Sequence, residues 1–384
     1  MAKKTAGDGL SELEHLERLA KLTESDRLQY TRDLERSISR ERQAKREALR
    51  QVKTYEKELS ASEAALGRML HLQESTALRK YEKAARRGKS SSKATAVVCI
   101  SDWYTEQTID PHTVAGVNEF NLEIADRRIA RTWDRACYLI DFARNISNID
   151  EVCLWAGGDL INGMIHEELQ QTSSLGPADA IEHVRAHILA GVRLLMKETK
   201  CKHFRFLANY GNHGRAPMKK RIATAASHSW EFGLYTTVAQ IIQSDRTLAK
   251  RFSAQIARGE LLETQIQGYN CRFTHGDTVR YHGGVGGIAT PIAKAVAAWD
   301  ASHGRADLTV LGHYHQFWNA PHFVANGCLC GFDPYAQSIR AKSDHPSQTL
   351  IVMDQEYGRV LATQIFCEEH PTVTQNWQTP NYVR

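Results

Sequence analysis

Five apolar runs in this chain end in the same manner, and no other feature restricts its fold so tightly. They are Ile100-Ser-Asp102, Gly157-Gly-Asp159, Leu207-Ala-Asn-Tyr-Gly-Asn-His-Gly-Arg215, Thr274-His-Gly-Asp277 and Gly312-His-Tyr-His315. Each is strand-like and delivers Asp, Asn or His at its carboxyl end, in four of the five cases beside a glycine. Carboxylates, amides and imidazoles are poor core material, because burying them without partners is costly. Gathered at the ends of buried strands they make a ligand site, since open α/β sheets bind in the crevice outside the carboxyl ends of their strands.

Helical patterns fill the intervals. Residues 121–145 carry Ile124, Ile129, Trp133, Cys137, Leu139 and Ile140 on one broad apolar face. Residues 178–199, 222–252 and 290–303 read as further helices, and 150–156, 203–209 and 308–311 as strands. The stretch 262–275 reads as a hairpin-like pair of strands, and 322–326, 328–332, 349–354 and 360–366 as short strands. Alternation in the first half and strands in the second imply an α/β layered sandwich with a mixed sheet.

The segment ahead of this body differs in composition. Residues 1–94 hold 22 Lys/Arg against 15 Asp/Glu, whereas the remainder is slightly acidic. Helix is expected from Ser11, with a break and a new N-cap at Thr23-Glu-Ser-Asp26 and a long run over 27–72. Leu34 and Ile38 begin two heptad rows, but Glu41 and Lys45 interrupt them, so the coiled-coil seam is mediocre. Self-association, packing onto the body, and a solvated helix held by charge pairs are all open. Arg86-Arg-Gly-Lys-Ser-Ser-Ser-Lys93 reads as a flexible linker. The expected organisation is a basic helical extension with linker over 1–93, a body over 94–370 and a polar tail over 371–384. A basic arm on a near-neutral body suits a polyanion such as DNA, or is simply a charged helix surface.

Other classes are set aside. No apolar run approaches the ~20 residues of a membrane span, and the N-terminus lacks the apolar core of a signal peptide. The eight cysteines include no CxxC pair and lie mostly in apolar runs, so a reducing cytoplasmic setting without a disulfide framework is expected.

The strand ends would present Asp102, Asp159, Asn212, His213, His275, His313 and His315. This oxygen and imidazole set suits borderline-hard divalent ions: manganese, iron, zinc or nickel. A carboxylate bridging two such ions makes a centre for displacement at phosphorus. His313 and His315, two apart, point to one side of a strand and can reach neighbouring ions. Arg280 and His282 flank the glycine-rich Gly283-Gly-Val-Gly-Gly287 and read either as phosphate contacts or as turn residues. His166, opening His166-Glu-Glu168, is either a cleft-lining group or a solvated helix start. Trp103, Trp299 and Trp318 are core residues or stacking platforms for bases.

The order D, GD, GNH, HGD and GHxH over residues 95–366 resembles the calcineurin-like metallophosphoesterases. The GNHGR, THGD and GHYH motifs resemble more narrowly the phage and prophage members related to SbcD-type DNA exonucleases. The resemblance implies a four-layer αββα sandwich with a dinuclear centre, manganese first among the metals, and a location in a bacterial host cytoplasm. It implies that Asp159 bridges the two metals. Asp102 and His315 would belong to the first, and Asn212, His275 and His313 to the second. His213 would contact the phosphate and protonate the leaving oxygen. Arg215, two residues on, is a phosphate clamp or a surface arginine.

Two departures stand out. The family's DxH reads Asp102-Trp-Tyr104, so Tyr104 ligates the first metal, water replaces it, or that site is weak, with Glu106 and His112 as substitutes from the same loop. Gly214 also stands where some branches carry a glutamate. The expected activity is a metal-dependent DNA nuclease. A phosphomonoesterase or small-nucleotide phosphodiesterase is the second reading. A catalytically weakened metal-binding or metal-free scaffold, whose N-terminal helices recruit a partner, is the third.

Overall fold

The computed structural model describes residues 23–74, 92–280, 287–338 and 343–368. The chain divides into two compact units, 1–85 and 86–384. In the first, helix α1 spans Glu24–Glu74. It opens as its sequence suggests: the Asp26 N–H donates to Thr23 Oγ1 at 3.3 Å, and the Thr23 N–H to Asp26 Oδ2 at 3.3 Å. This reciprocal cap satisfies donors that a helix start leaves orphaned. Leu28, Leu34, Ile38 and Leu49 are exposed, so the expected heptad rows begin on the helix surface.

The second unit is mixed α/β with two sheets. In the first sheet, β1 (Lys93–Ile100), β2 (Asn148–Ala156), β3 (His203–Ala208) and β4 (Phe252–Ile256) run parallel. Beyond β1 lie the antiparallel β10 (Ser347–Asp354) and β11 (Gly358–Phe366). The second sheet has the order β5 (Leu262–Ile266), β6 (Tyr269–Thr274), β7 (Leu308–Leu311), β9 (Phe323–Ala325) and β8 (Trp318–Asn319). Here β6, β7 and β9 run parallel.

Side chains alternate as the strand period of two requires. Ala94, Ala96, Val98 and Ile100 of β1 join one core, and Val97 and Cys99 join the other. The core shared by the two sheets is filled by Trp155, Leu207, Phe273, Val310 and Met353. The outer core lies under α2 (Leu122–Ala143), α4 (Pro177–Glu198) and α5 (Trp230–Ser244), each linking two parallel strands; the short α3 (Glu167–Thr172) precedes α4. On the far side of the second sheet, α6 (Ala289–His303) packs against Leu311, Phe323 and Ala325. The layers are thus helix, sheet, sheet, helix.

Two local expectations fail. Helix over 222–252 is too long: α5 begins only at Trp230, where Ser229 Oγ accepts the Phe232 N–H at 3.3 Å. The strand expected over 328–332 is a loop, because Cys328–Gly331 pairs with no strand and instead meets Asp102, Arg128 and Asn118 through its carbonyls and N–H groups. The expected tail at 371–384 and His282 lie outside the described residues. Among the described residues no helix is long and apolar enough to cross a membrane.

Candidate metal centre

Because β1, β2 and β3 are parallel, as are β6 and β7, their carboxyl ends deliver Asp102, Asp159, Asn212, His275, His313 and His315 to one edge of the paired sheets. The approach is close. A Cβ on Gly211 would lie 2.1 Å from Asp159 Oδ1, and one on Gly158 would lie 2.3 Å from the Gly211 nitrogen. Only glycine lets these two turns touch.

The backbone is strained where it turns. Among the described residues eight non-glycine residues have positive φ, and Asp102, Tyr104, Asp159, His313 and His315 are five of them. Each such residue costs on the order of 1–3 kcal/mol and persists only where its surroundings over-determine it. The surroundings here are a web of hydrogen bonds. The His313 N–H donates to both Asp102 oxygens, at 3.0 and 3.1 Å. The Asp102 N–H donates to the Gly158 carbonyl at 2.9 Å, and the His213 N–H to Asp159 Oδ1 at 2.7 Å. Gln348 ties the base of the first loop, accepting from the Ser101 N–H at 2.9 Å and from Trp103 Nε1 at 3.1 Å.

The centre is defined by its lone pairs. His275 Nδ1 donates to the Gly157 carbonyl at 2.8 Å, so its proton is committed there. His275 Nε2 therefore faces Asp159 Oδ2 at 3.0 Å and Asn212 Oδ1 at 3.2 Å. Three potential ligand atoms converge, and Asp159, His275 and His313 together hold ligand atoms within 4.8 Å of one another. Such a set needs positive charge. Burial alone would push the His275 imidazolium down, but the Asp159 carboxylate more than reverses this and raises it to about 10. Burial likewise disfavours the Asp159 anion, yet the His275 and His213 charges hold its carboxyl well below the usual range. Burial drives Asp102 up, only partly offset by His275 and His315. Carboxylate, amide oxygen and imidazole in this arrangement fit a borderline-hard divalent cation.

Tyr104 is inside the cluster. Its hydroxyl donates to Asp159 Oδ2 at 3.1 Å and stands 2.9 Å from His315 Nε2, which is 3.7 Å from Asp102 Oδ1. Glu106 Oε1 accepts the Asn162 and Gly163 N–H groups at 2.8 and 3.0 Å, and its Oε2 is buried without a hydrogen-bond partner. His112 sits in the short 3-10 turn Pro111–Val114.

Tyr104, Asn212, His313 and His315 of the cluster line a cavity of about 920 Å³, together with His213, Arg280 and His166. His213 Nδ1 donates to the Asn162 carbonyl at 2.8 Å, leaving Nε2 as the ring's free position. Arg215 serves its own loop instead: Nη1 donates to the Asn212 carbonyl at 2.7 Å and Nε to the Met218 carbonyl at 3.2 Å. It braces Asn212. Trp103 is fully buried, Trp299 lies on α6 and packs against the cluster around Leu311 and Phe323, and Trp318 is exposed.

Two contributors escape sequence reasoning. Glu231, wholly buried at the start of α5, accepts the Leu160 N–H at 2.6 Å and the Gly211 N–H at 2.7 Å, joining the two glycine turns. It fills the space beside Gly214, where an added Cβ would lie 2.6 Å from Glu231 Cγ. A buried carboxylate is thus placed beside Gly214 from a helix, with no local motif to mark it. Cys328 lines the cavity, 3.1 Å from Cys330 Sγ; its signal was the glycine on either side of Gly327-Cys-Leu-Cys-Gly331.

No protein-family profile matches the chain. No curated protein matches it either. Among solved structures, Vps29 from Chaetomium thermophilum is similar at 9% identity and a TM-score of 0.26, covering 68% of this chain and 84% of that one. A protein of unknown function from Aquifex aeolicus is similar at 13% identity and a TM-score of 0.24, covering 65% and 87%.

Proposed function

We propose that this chain is a metal-dependent phosphoesterase of the calcineurin-like type, and that it hydrolyses phosphodiester bonds of DNA. The observation that carries the reading is the convergence of Asp159 Oδ2, His275 Nε2 and Asn212 Oδ1, with Asn212 itself lining an open cavity. Asp159, Asp102 and His315 would hold one divalent cation, and Asp159 with Asn212, His275 and His313 would hold a second. Tyr104 steadies both sides, touching Asp159 and His315. When bound, the two divalent ions supply polarisation of the phosphoryl oxygens and acidify a water. Manganese is the first candidate, with iron, zinc and nickel as alternatives.

The protein's own residues do the rest. His213 lines the cavity with its Nδ1–H held by the Asn162 carbonyl, so the doubly protonated ring would deliver its Nε2 proton to the leaving oxygen; burial lowers the pKa of the ring, so this acid form is favoured as pH falls. Arg215 fixes the Asn212 carbonyl and so the amide's position. Arg280 and His166 line the cavity and contact the flanking phosphate groups of a polymer. The DNA assignment is supported by the excess of basic residues in 1–94 and by the motif resemblance. That segment also offers the long helix through which copies of the chain associate.

The test is hydrolysis by the full chain, with manganese or with chelator, of bis-p-nitrophenyl phosphate and of end-labelled single- and double-stranded DNA. Manganese-dependent cleavage of DNA, lost in Asp159→Asn, is expected. Cleavage of the small ester alone would redirect the reading to a small-nucleotide phosphodiesterase or phosphomonoesterase. Inactivity with every metal would leave a binding scaffold.

A further inference from the structure

A second group of metal-ligating side chains lies on the outer helical layer, away from the strand ends. Asp126 stands on α2, and His183 and His187 on α4. His183 Nε2 is 2.7 Å from Asp126 Oδ1, His187 Nε2 is 2.9 Å from the same oxygen, and the two nitrogens are 3.2 Å apart. None of the three lines the cavity described above.

We propose that Asp126, His183 and His187 form a separate site for a divalent ion of the zinc class, clamping α2 to α4. Residues four apart on a helix share one face, so His183 and His187 necessarily point together. Their rings stand with centroids 4.7 Å apart at 68°. The geometry is that of three ligands around one ion. Zinc holds nitrogen and oxygen ligands at about 2.0–2.2 Å, which places tetrahedral ligands about 3.3 Å from one another. The observed separations of 2.7, 2.9 and 3.2 Å need only a small outward shift. Both ring nitrogens converge on one oxygen, Asp126 Oδ1, so all three potential ligand atoms face a common point.

The scaffold is rigid enough to hold such a site. The two helices approach closely at Gly191, where an added Cβ would lie 2.3 Å from the Trp133 ring. Side-chain exposure of 42% for Asp126, 26% for His183 and 24% for His187 leaves one side open to solvent, so water completes the coordination. Two imidazoles and one carboxylate favour zinc, cobalt, nickel or copper over calcium or magnesium.

The test uses cobalt(II) as a spectroscopic stand-in for zinc on the full chain. A variant with Asp159→Asn and His275→Ala, which disables the strand-end cluster, is expected to retain one equivalent of cobalt with a visible d–d band. Adding His183→Ala and His187→Ala is expected to remove both the equivalent and the band. Retention of both after that change would overturn the proposal. A readout on the unmodified protein guards against misfolding of the variants. Zinc should slow diethyl pyrocarbonate modification of His183 and His187 at least tenfold, and an unchanged rate at both would also overturn the site.

Discussion

The molecule carries two clusters of the same chemistry, built by opposite means. The strand-end cluster draws residues from five loops spread over more than two hundred positions, Asp102 to His315, and forces five of them into left-handed backbone. The helical cluster takes two of its three members from a single turn of α4 and strains nothing. The first is buried and supported by Gln348, Glu231 and glycine turns that touch; the second is half-exposed. The difference teaches what each is suited to. Strain and burial hold atoms where chemistry needs them and exclude water. A regular helix face holds an ion cheaply, with less control over what surrounds it.

The largest effect that could break this contrast is expected at Asp159. Asp159→Asn should lower manganese-dependent hydrolysis of bis-p-nitrophenyl phosphate by about 10⁴-fold, since metal stabilisation is worth several kcal/mol and each 1.36 kcal/mol is tenfold. Unaltered turnover would detach the buried cluster from catalysis. Next is His213→Gln, where loss of a general acid predicts a fall of about 10²–10⁴-fold in kcat. Metal content, measured by elemental analysis, should stay unchanged; a parallel loss of metal would make His213 a ligand instead. Glu231→Ala tests the support of the buried cluster. It orphans the Leu160 and Gly211 N–H groups, each at about 1–3 kcal/mol, so urea unfolding should show a loss of roughly 3 kcal/mol. A loss below ~0.5 kcal/mol would mean that the glycine turns hold without it. The smallest effect is expected on the outer layer. Zinc at a hundredfold excess over Kd should stabilise the protein by about 3 kcal/mol, raising Tm by several degrees. In His183→Ala that increment should shrink, and an identical zinc-dependent rise would remove the contrast.

The two clusters also differ in how far the amino-acid order reveals them. Asp102, Asp159, Asn212, His275, His313 and His315 could be picked out because each follows an apolar run at a turn, and the structure brings them together. The helices near 121–145, 178–199 and 290–303 and the hairpin of β5 and β6 were legible from periodicity and lie close to those ranges. His183 and His187 were not, because His-Val-Arg-Ala-His reads as an ordinary polar helix face until Asp126 is set opposite. Glu231 and Gln348 were hidden for a related reason: apart from the Trp103 indole and Asn326 amide on Gln348, their partners are backbone N–H and C=O groups, which have no side-chain signature. Cys328 and Cys330 misled by alternation, since a two-residue period cannot distinguish a strand from a loop whose hydrogen bonds go elsewhere.

The sequence by itself determined the alternation of strand and helix, the two faces of each core strand and the identity of the polar groups at the strand ends. These are local properties, governed by the periods of two and 3.6 and by what glycine alone permits. Tertiary structure decided which of those groups meet. It set Tyr104 between Asp159 and His315, turned Arg215 onto its own loop, and brought Glu231 into the space beside Gly214. The physical reason is distance along the chain. Contacts between residues tens or hundreds of positions apart depend on sheet order and helix packing, and these emerge only when the whole core closes.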